Sequence, residues 1–111
     1  MGPKRRKAPR MGVRQPNPEH VKCLRHLQWV RGFPCLAAPS GGCVGPVQTH
    51  HVSHDRDRDD RVVPLCVQHH TEVHASPEKF QAKYLVNLDA HADVLWGQSP
   101  HGRRYRKENE T

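Results

Sequence analysis

Aromatic residues are scarce in this chain: two Trp, two Tyr and two Phe make up 5% of 111 residues. Hydrophobic residues of all kinds reach only 34%. A chain this short buries roughly two-thirds of its unfolded surface, so the composition makes a thin core. Long apolar runs are missing too. No stretch approaches the roughly 20 residues that a spanning helix needs, which excludes such a helix. Residues 1–14 are basic and proline-rich without an apolar segment, and nothing there resembles a secretory signal. There are only four cysteines. In a secreted chain they would read as disulfides, but the expectation here is a cytoplasmic protein whose thiols stay reduced. Small domains with thin cores are commonly held by a metal, and Cys near His then points to zinc first.

Charge is present, and its placement says more than its total of +7. Lys4, Arg5, Arg6, Lys7, Arg10 and Arg14 are all basic, with no acid among residues 1–14. Residues 101–111 carry Arg103, Arg104, Arg106 and Lys107 against Glu108 and Glu110. The middle of the chain is close to neutral. The expected division is a basic disordered arm over 1–16, one folded domain over 17–97 and a basic disordered tail over 98–111. Such arms suit a polyanionic partner, or serve only as solvating tails.

Along the chain, Asn17, Pro18 and Glu19 form a helix start, and Val21, Leu24, Leu27 and Val30 give an apolar stripe as far as Gly32. His20 and His26 have no ligand spacing and are expected at the surface or rim. Cys23 is expected as a small buried residue. Cys35 and Cys43 flank seven residues rich in Gly, Pro and Ala. Two thiolates on such a turn can meet at one zinc, or can be unrelated buried thiols. Residues 44–52 and 61–65 read as strands separated by a polar connection. Farther on, Ser76 caps a helix that Pro77 and Glu78 open. Phe80, Tyr84 and Leu88 follow at four-residue steps, with Asn87 as a point of restart. His91 and His101 are expected to face solvent.

The segment from Thr49 to His74 carries the chemistry. Two His pairs, His50/His51 and His69/His70, bracket the polar connection, and Cys66 precedes His69 by three. His70 and His74 are four apart and share one face of a helix. His69 is rotated by about 100° from His70 and can turn back toward Cys66. Two sites result. Cys35, Cys43, Cys66 and His69 would close a tetrahedral structural zinc. His50, His70 and His74 would hold a second, catalytic ion with open positions. His51 is left over as a general base, because an imidazole with an ordinary pKa of about 6.5 can take a proton from water. Asp59 or Asp60 is placed to orient that ring, and Asp60 is taken as the catalytic partner. In a regular strand His50 and His51 point to opposite faces, so a strand end or bend is required here.

The order of these residues resembles the HNH endonucleases of the ββα-metal class. The stretches H-L-Q-W-V-R-G-F-P-C and D-D-R-V-V-P-L-C-V-Q-H-H are similar to the phage and prophage branch related to recombination enhancement nucleases. The resemblance spans His26 to Phe80. It implies an α+β fold: a small ββα-metal domain with a preceding helix, C-terminal helices and a structural zinc. It implies hydrolysis of DNA phosphodiesters to 5′-phosphate and 3′-hydroxyl ends, with His50, His70 and His74 on the catalytic divalent ion (Mg, Mn, Ni or Zn) and His51 as the base. Arg56 and Arg58 would contact phosphate, and His54 could help position it. DNA is the implied partner. Phage or host recombination and packaging proteins are further candidates, in a bacterial cytoplasm. The chain departs from the pattern twice. The C-x-x-C knuckle is stretched to Cys35 and Cys43, with His69 in place of the last Cys. The central Asn is absent, with Asp59, Asp60 or Arg61 near its place. The alternative is a zinc-stabilised DNA-binding module without activity.

Overall fold

The structure, a computed structural model, describes residues 20–52 and 56–109. The basic arm, the helix start at Asn17 and His54 lie outside these residues. The elements run α1 (Leu24–Arg31), a 3-10 turn (Ala38–Ser40), β1 (Val47–His51), β2 (Val62–Cys66), α2 (Val67–Ala75), α3 (Pro77–Tyr84), α4 (Leu88–Gln98) and α5 (Pro100–Glu108). The described residues therefore form a small α+β unit with one two-stranded sheet and five α-helices.

β1 and β2 are antiparallel, with Val47 opposite Cys66, Thr49 opposite Pro64 and His51 opposite Val62. Every residue of β2 is buried, which explains its unbroken apolar run. Pro64 cannot donate to a ladder, and a two-stranded sheet tolerates it because both strands are edges. Its carbonyl accepts from Leu36 N–H at 2.8 Å, which ties the Cys35 segment to the sheet. Val63, Leu65, Val73, Phe80, Leu88 and Ala92 form the centre of the core. Burying a side chain such as Phe80 or Leu88 contributes about 1.5–3 kcal/mol.

Capping sets where the helices begin. Ser76 Oγ accepts from Lys79 N, Asn87 Oδ1 from Ala90 N, and Ser99 Oγ from Gly102 N. The four-residue apolar rhythm from Phe80 to Leu88 is broken where α3 ends at Leu85, which adopts a left-handed φ of 56°. α2 is capped by Cys66, whose Sγ accepts from His69 N at 3.4 Å. The C-x-x-H spacing is thus a helix-capping arrangement as well as a pair of possible metal donors.

Several sequence expectations change. α1 begins at Leu24 rather than near Pro18, because the backbone of Val21 is used elsewhere. Val21 N–H donates to Asp57 O at 2.6 Å and its carbonyl accepts from Asp59 N at 2.8 Å, in a parallel bridge to residue 58. The first strand starts at Val47 rather than Val44. Gly45 has φ +85° and lies so close to Val67 that a Cβ would fall 2.8 Å from it. Trp96 and Gly97 lie within α4. A disordered tail was expected from residue 98, but α5 is there. It docks because Gly102 lets the helix meet Trp96, where a Cβ would lie 2.7 Å from the Trp96 carbonyl oxygen. Arg106 covers the Trp96 ring at 5.5 Å and Tyr105 meets it edge-on at 5.7 Å. His26 is fully buried rather than at the rim, with its ring 4.9 Å from that of Trp96. Cys23 is half-buried, and His101 is half-buried rather than solvent-facing.

Candidate metal centres and the adjoining cleft

Four donors meet beside the start of α2. His69 Nδ1 lies 3.4 Å from Cys35 Sγ, 3.6 Å from Cys43 Sγ and 3.2 Å from Cys66 Sγ. A tetrahedral zinc with ordinary Zn–S and Zn–N bonds sets sulfur and nitrogen about 3.5 Å apart. The donor set and its spacing therefore fit such an ion, and all four cysteines are free of disulfides. Each ligand arrives for a local reason. Cys66 and His69 belong to the capped first turn of α2. Cys35 follows the end of α1 and is anchored through Leu36. Cys43 is carried back by a loop in which Gly42 adopts φ +79°. Burial works against the Cys66 thiolate. Even so, N–H groups of His69 and Val44, with the Cys43 and His69 side chains, bring its pKa down to about 6. Desolvation, then Cys66 and Cys35, push Cys43 up to about 11. The His69 ring is braced edge-on by Tyr84 at 5.2 Å and Phe80 at 6.3 Å.

The second cluster holds His50, His70 and His74, whose ligating nitrogens lie within 4.8 Å of one another. Their ring centroids are 4.7–5.1 Å apart. His50 is buried in β1, His70 is half-buried and His74 is exposed, so the cluster is closed below and open above. Such a set can hold a metal and still leave room for other ligands. His70 Nδ1 lies 2.8 Å from Gln48 Oε1. An amide oxygen only accepts, so Nδ1 carries the proton and Nε2 keeps a lone pair for the cluster. Burial, then the neighbouring His74 and His51, hold the His70 pKa below its ordinary value, which favours the neutral, ligating form. Sequence reasoning missed Gln48. Its signal was there: residues 48 and 50 share one face of a strand.

His51 is the last residue of β1, which supplies the strand end that the sequence required. It lines the same cleft as Thr49, His50, Arg56, His70 and His74, a space of about 330 Å³. Its Nε2 lies 3.1 Å from Asp59 Oδ1. A carboxylate accepts, so Nε2 is the protonated nitrogen and Nδ1 keeps the lone pair. Asp59 is buried, and its Oδ2 accepts from Cys23 N at 2.9 Å. This corrects the choice of Asp60. Asp60 instead binds Arg58 through two hydrogen bonds of 2.9 and 2.8 Å. The same bonds occupy the Arg58 guanidinium, which had been expected to contact phosphate. Arg56 does border the cleft, and its side chain is exposed. Arg61 pairs with Asp89 and Asp93 of α4 and so braces β2 rather than the cleft.

The chain belongs to the family described as a protein of unknown function, DUF968, whose model matches residues 5–99. No curated protein and no solved structure matches the chain. Among the described residues, no helix is long and apolar enough to cross a membrane.

Proposed function

We propose that this chain is a metal-dependent DNA endonuclease of the HNH, or ββα-metal, kind. Cys35, Cys43, Cys66 and His69 would hold a structural zinc, and His50, His70 and His74 would hold one catalytic divalent ion. The observation that carries the reading is the meeting of three histidines in an open cleft beside a fourth, His51, whose ring is fixed by a buried carboxylate. When bound there, such an ion would supply Lewis acidity toward negative charge developing on a phosphate. His51 takes a proton from the attacking water through Nδ1, since Nε2–H is held by Asp59. Asp59 is a positioning residue: its second oxygen is tied to the Cys23 backbone, so the imidazole has one orientation. Arg56 contacts a phosphate at the mouth of the cleft. The strand–strand–helix order of β1, β2 and α2 supports the same reading.

A second reading, a zinc-stabilised DNA-binding module without activity, is favoured by the Cys3His set being complete without the histidine cleft. Supercoiled plasmid separates the two. Incubated with the parent chain and a panel of Mg, Mn, Ni or Zn, it is expected to be nicked with at least one ion and not with chelator. Retardation of the plasmid with no nicking under any ion would establish the module and end the nuclease reading.

A further inference from the structure

A second cleft, of about 480 Å³, opens between α1 and α5, with Lys22, Arg25, Arg104 and Tyr105 on its walls. Three described basic groups elsewhere are paired with carboxylates: Asp60 holds Arg58, Asp89 and Asp93 hold Arg61, and Glu72 holds Lys83. Arg25 and Arg104 are brought together on one cleft. Both are exposed, and no carboxylate among the described residues forms an ion pair with either. Glu108 also borders the cleft, so its lining stays cationic by a narrow margin.

The position of α5 is fixed. Arg106 is turned inward, donating to Trp96 O at 3.1 Å, which leaves Arg104 on the outer face. The cleft also neighbours the segment that borders the histidine site. Lys22 Nζ donates to Arg56 O at 2.7 Å and meets Asp57 Oδ1 at 3.1 Å. Arg56 itself lines the histidine cleft. Arg56 therefore lines one cleft and is held by a residue of the other.

We propose that the α1–α5 cleft is a second binding site for the DNA phosphate backbone, in which Arg25 and Arg104 hold the strand that flanks the phosphate at the histidine cleft. This rests on the nuclease reading for its geometry but not for its test. Exposed guanidinium groups fit a repeating anion, contribute affinity without reading sequence and release counterions on binding.

The experiment measures binding of a fluorescein-labelled duplex of about 30 base pairs, a length several times the roughly 10-base-pair helical turn. Anisotropy is followed across a salt series without added divalent ion, for the zinc-bearing parent and for Arg25→Ala/Arg104→Ala. Losing two phosphate contacts should lower the slope of log affinity against log salt by roughly 1.8. Arg25→Lys/Arg104→Lys should restore the slope, because the effect counts charges. Melting temperature and zinc content should match the parent in both variants. A slope unchanged in the alanine variant, or a parent that does not bind duplex, overturns the proposal, and an acidic protein would then be the partner to seek. A parent that binds with the expected slopes but does not nick plasmid would overturn the nuclease reading alone.

Discussion

Lowering the pH from 7 to 5 is expected to weaken the fold through one side chain, His26. The ring is fully buried beside Trp29 and Trp96, and among the described residues neither nitrogen has a hydrogen-bond partner. Burial lowers its pKa from 6.5 to about 4, against the attraction of Asp59 and Asp60 and with some help from His101 and Arg106. The unfolded chain therefore binds a proton that the folded chain refuses between those two values. Stability is fully present above the unfolded value and is lost as pH falls toward the folded one. The loss is about 2 kcal/mol by pH 5 and about 3 kcal/mol below pH 4. The assay is urea unfolding at pH 7, 6 and 5, with zinc held constant, on the parent and on His26→Leu. The substitution exchanges a ring with two unsatisfied nitrogens for an apolar side chain of similar size, so the variant should be the more stable at every pH. Other histidines titrate in both proteins and cancel in the difference. The gap between the two should widen by about 2 kcal/mol from pH 7 to pH 5. A gap that stays constant would show that His26 is not held neutral, and the packing described for α1, α4 and α5 would be wrong.

Three further outcomes follow from other parts of the structure. Gln48→Leu removes the acceptor that orients His70 and should weaken binding of added Mn or Zn at the histidine cluster by about 10–100-fold, read by calorimetric titration, with the Cys3His zinc content unchanged. Leu85→Gly should raise stability by about 1 kcal/mol in thermal melts, because Leu85 holds a left-handed φ of 56° and its side chain is exposed to solvent. Cys66→Ser removes a ligand and the cap of α2 together and should leave the chain unfolded by circular dichroism, since metal binding contributes folding free energy directly; a folded, zinc-free variant would contradict this.

The grouping of the donors into two clusters was legible because their spacing is local. Cys66 with His69, and His70 with His74, are fixed by the pitch of one helix. Cys35 and Cys43 needed only a flexible turn to reach them. Asp59 and Asp60 could not be told apart in the same way. They are adjacent in a turn, and the choice is made by the Cys23 N–H and the Val21 bridge, more than 30 residues away in the chain. The same bridge shortens α1 from its N-terminal end, which no periodicity in Val21, Leu24 and Leu27 could reveal. Burial of His26 depends on Trp96, 70 positions later. α5 was missed because its sequence is mostly charged. Its place depends on a capping Ser99, on Gly102 allowing close approach and on Arg106 lying over an indole.

The nicking of supercoiled plasmid by His51→Ala, set beside the parent under the same divalent ion, bears most directly on the chemistry assigned to the cleft. His51 is held by Asp59 and belongs to neither cluster of candidate metal donors, so metal content and melting temperature should stay at parental values. The nicking rate should fall by about 10²–10⁴-fold, the scale of a lost general base. A variant that cuts as fast as the parent, or one that loses its metal, would contradict the role given to this residue.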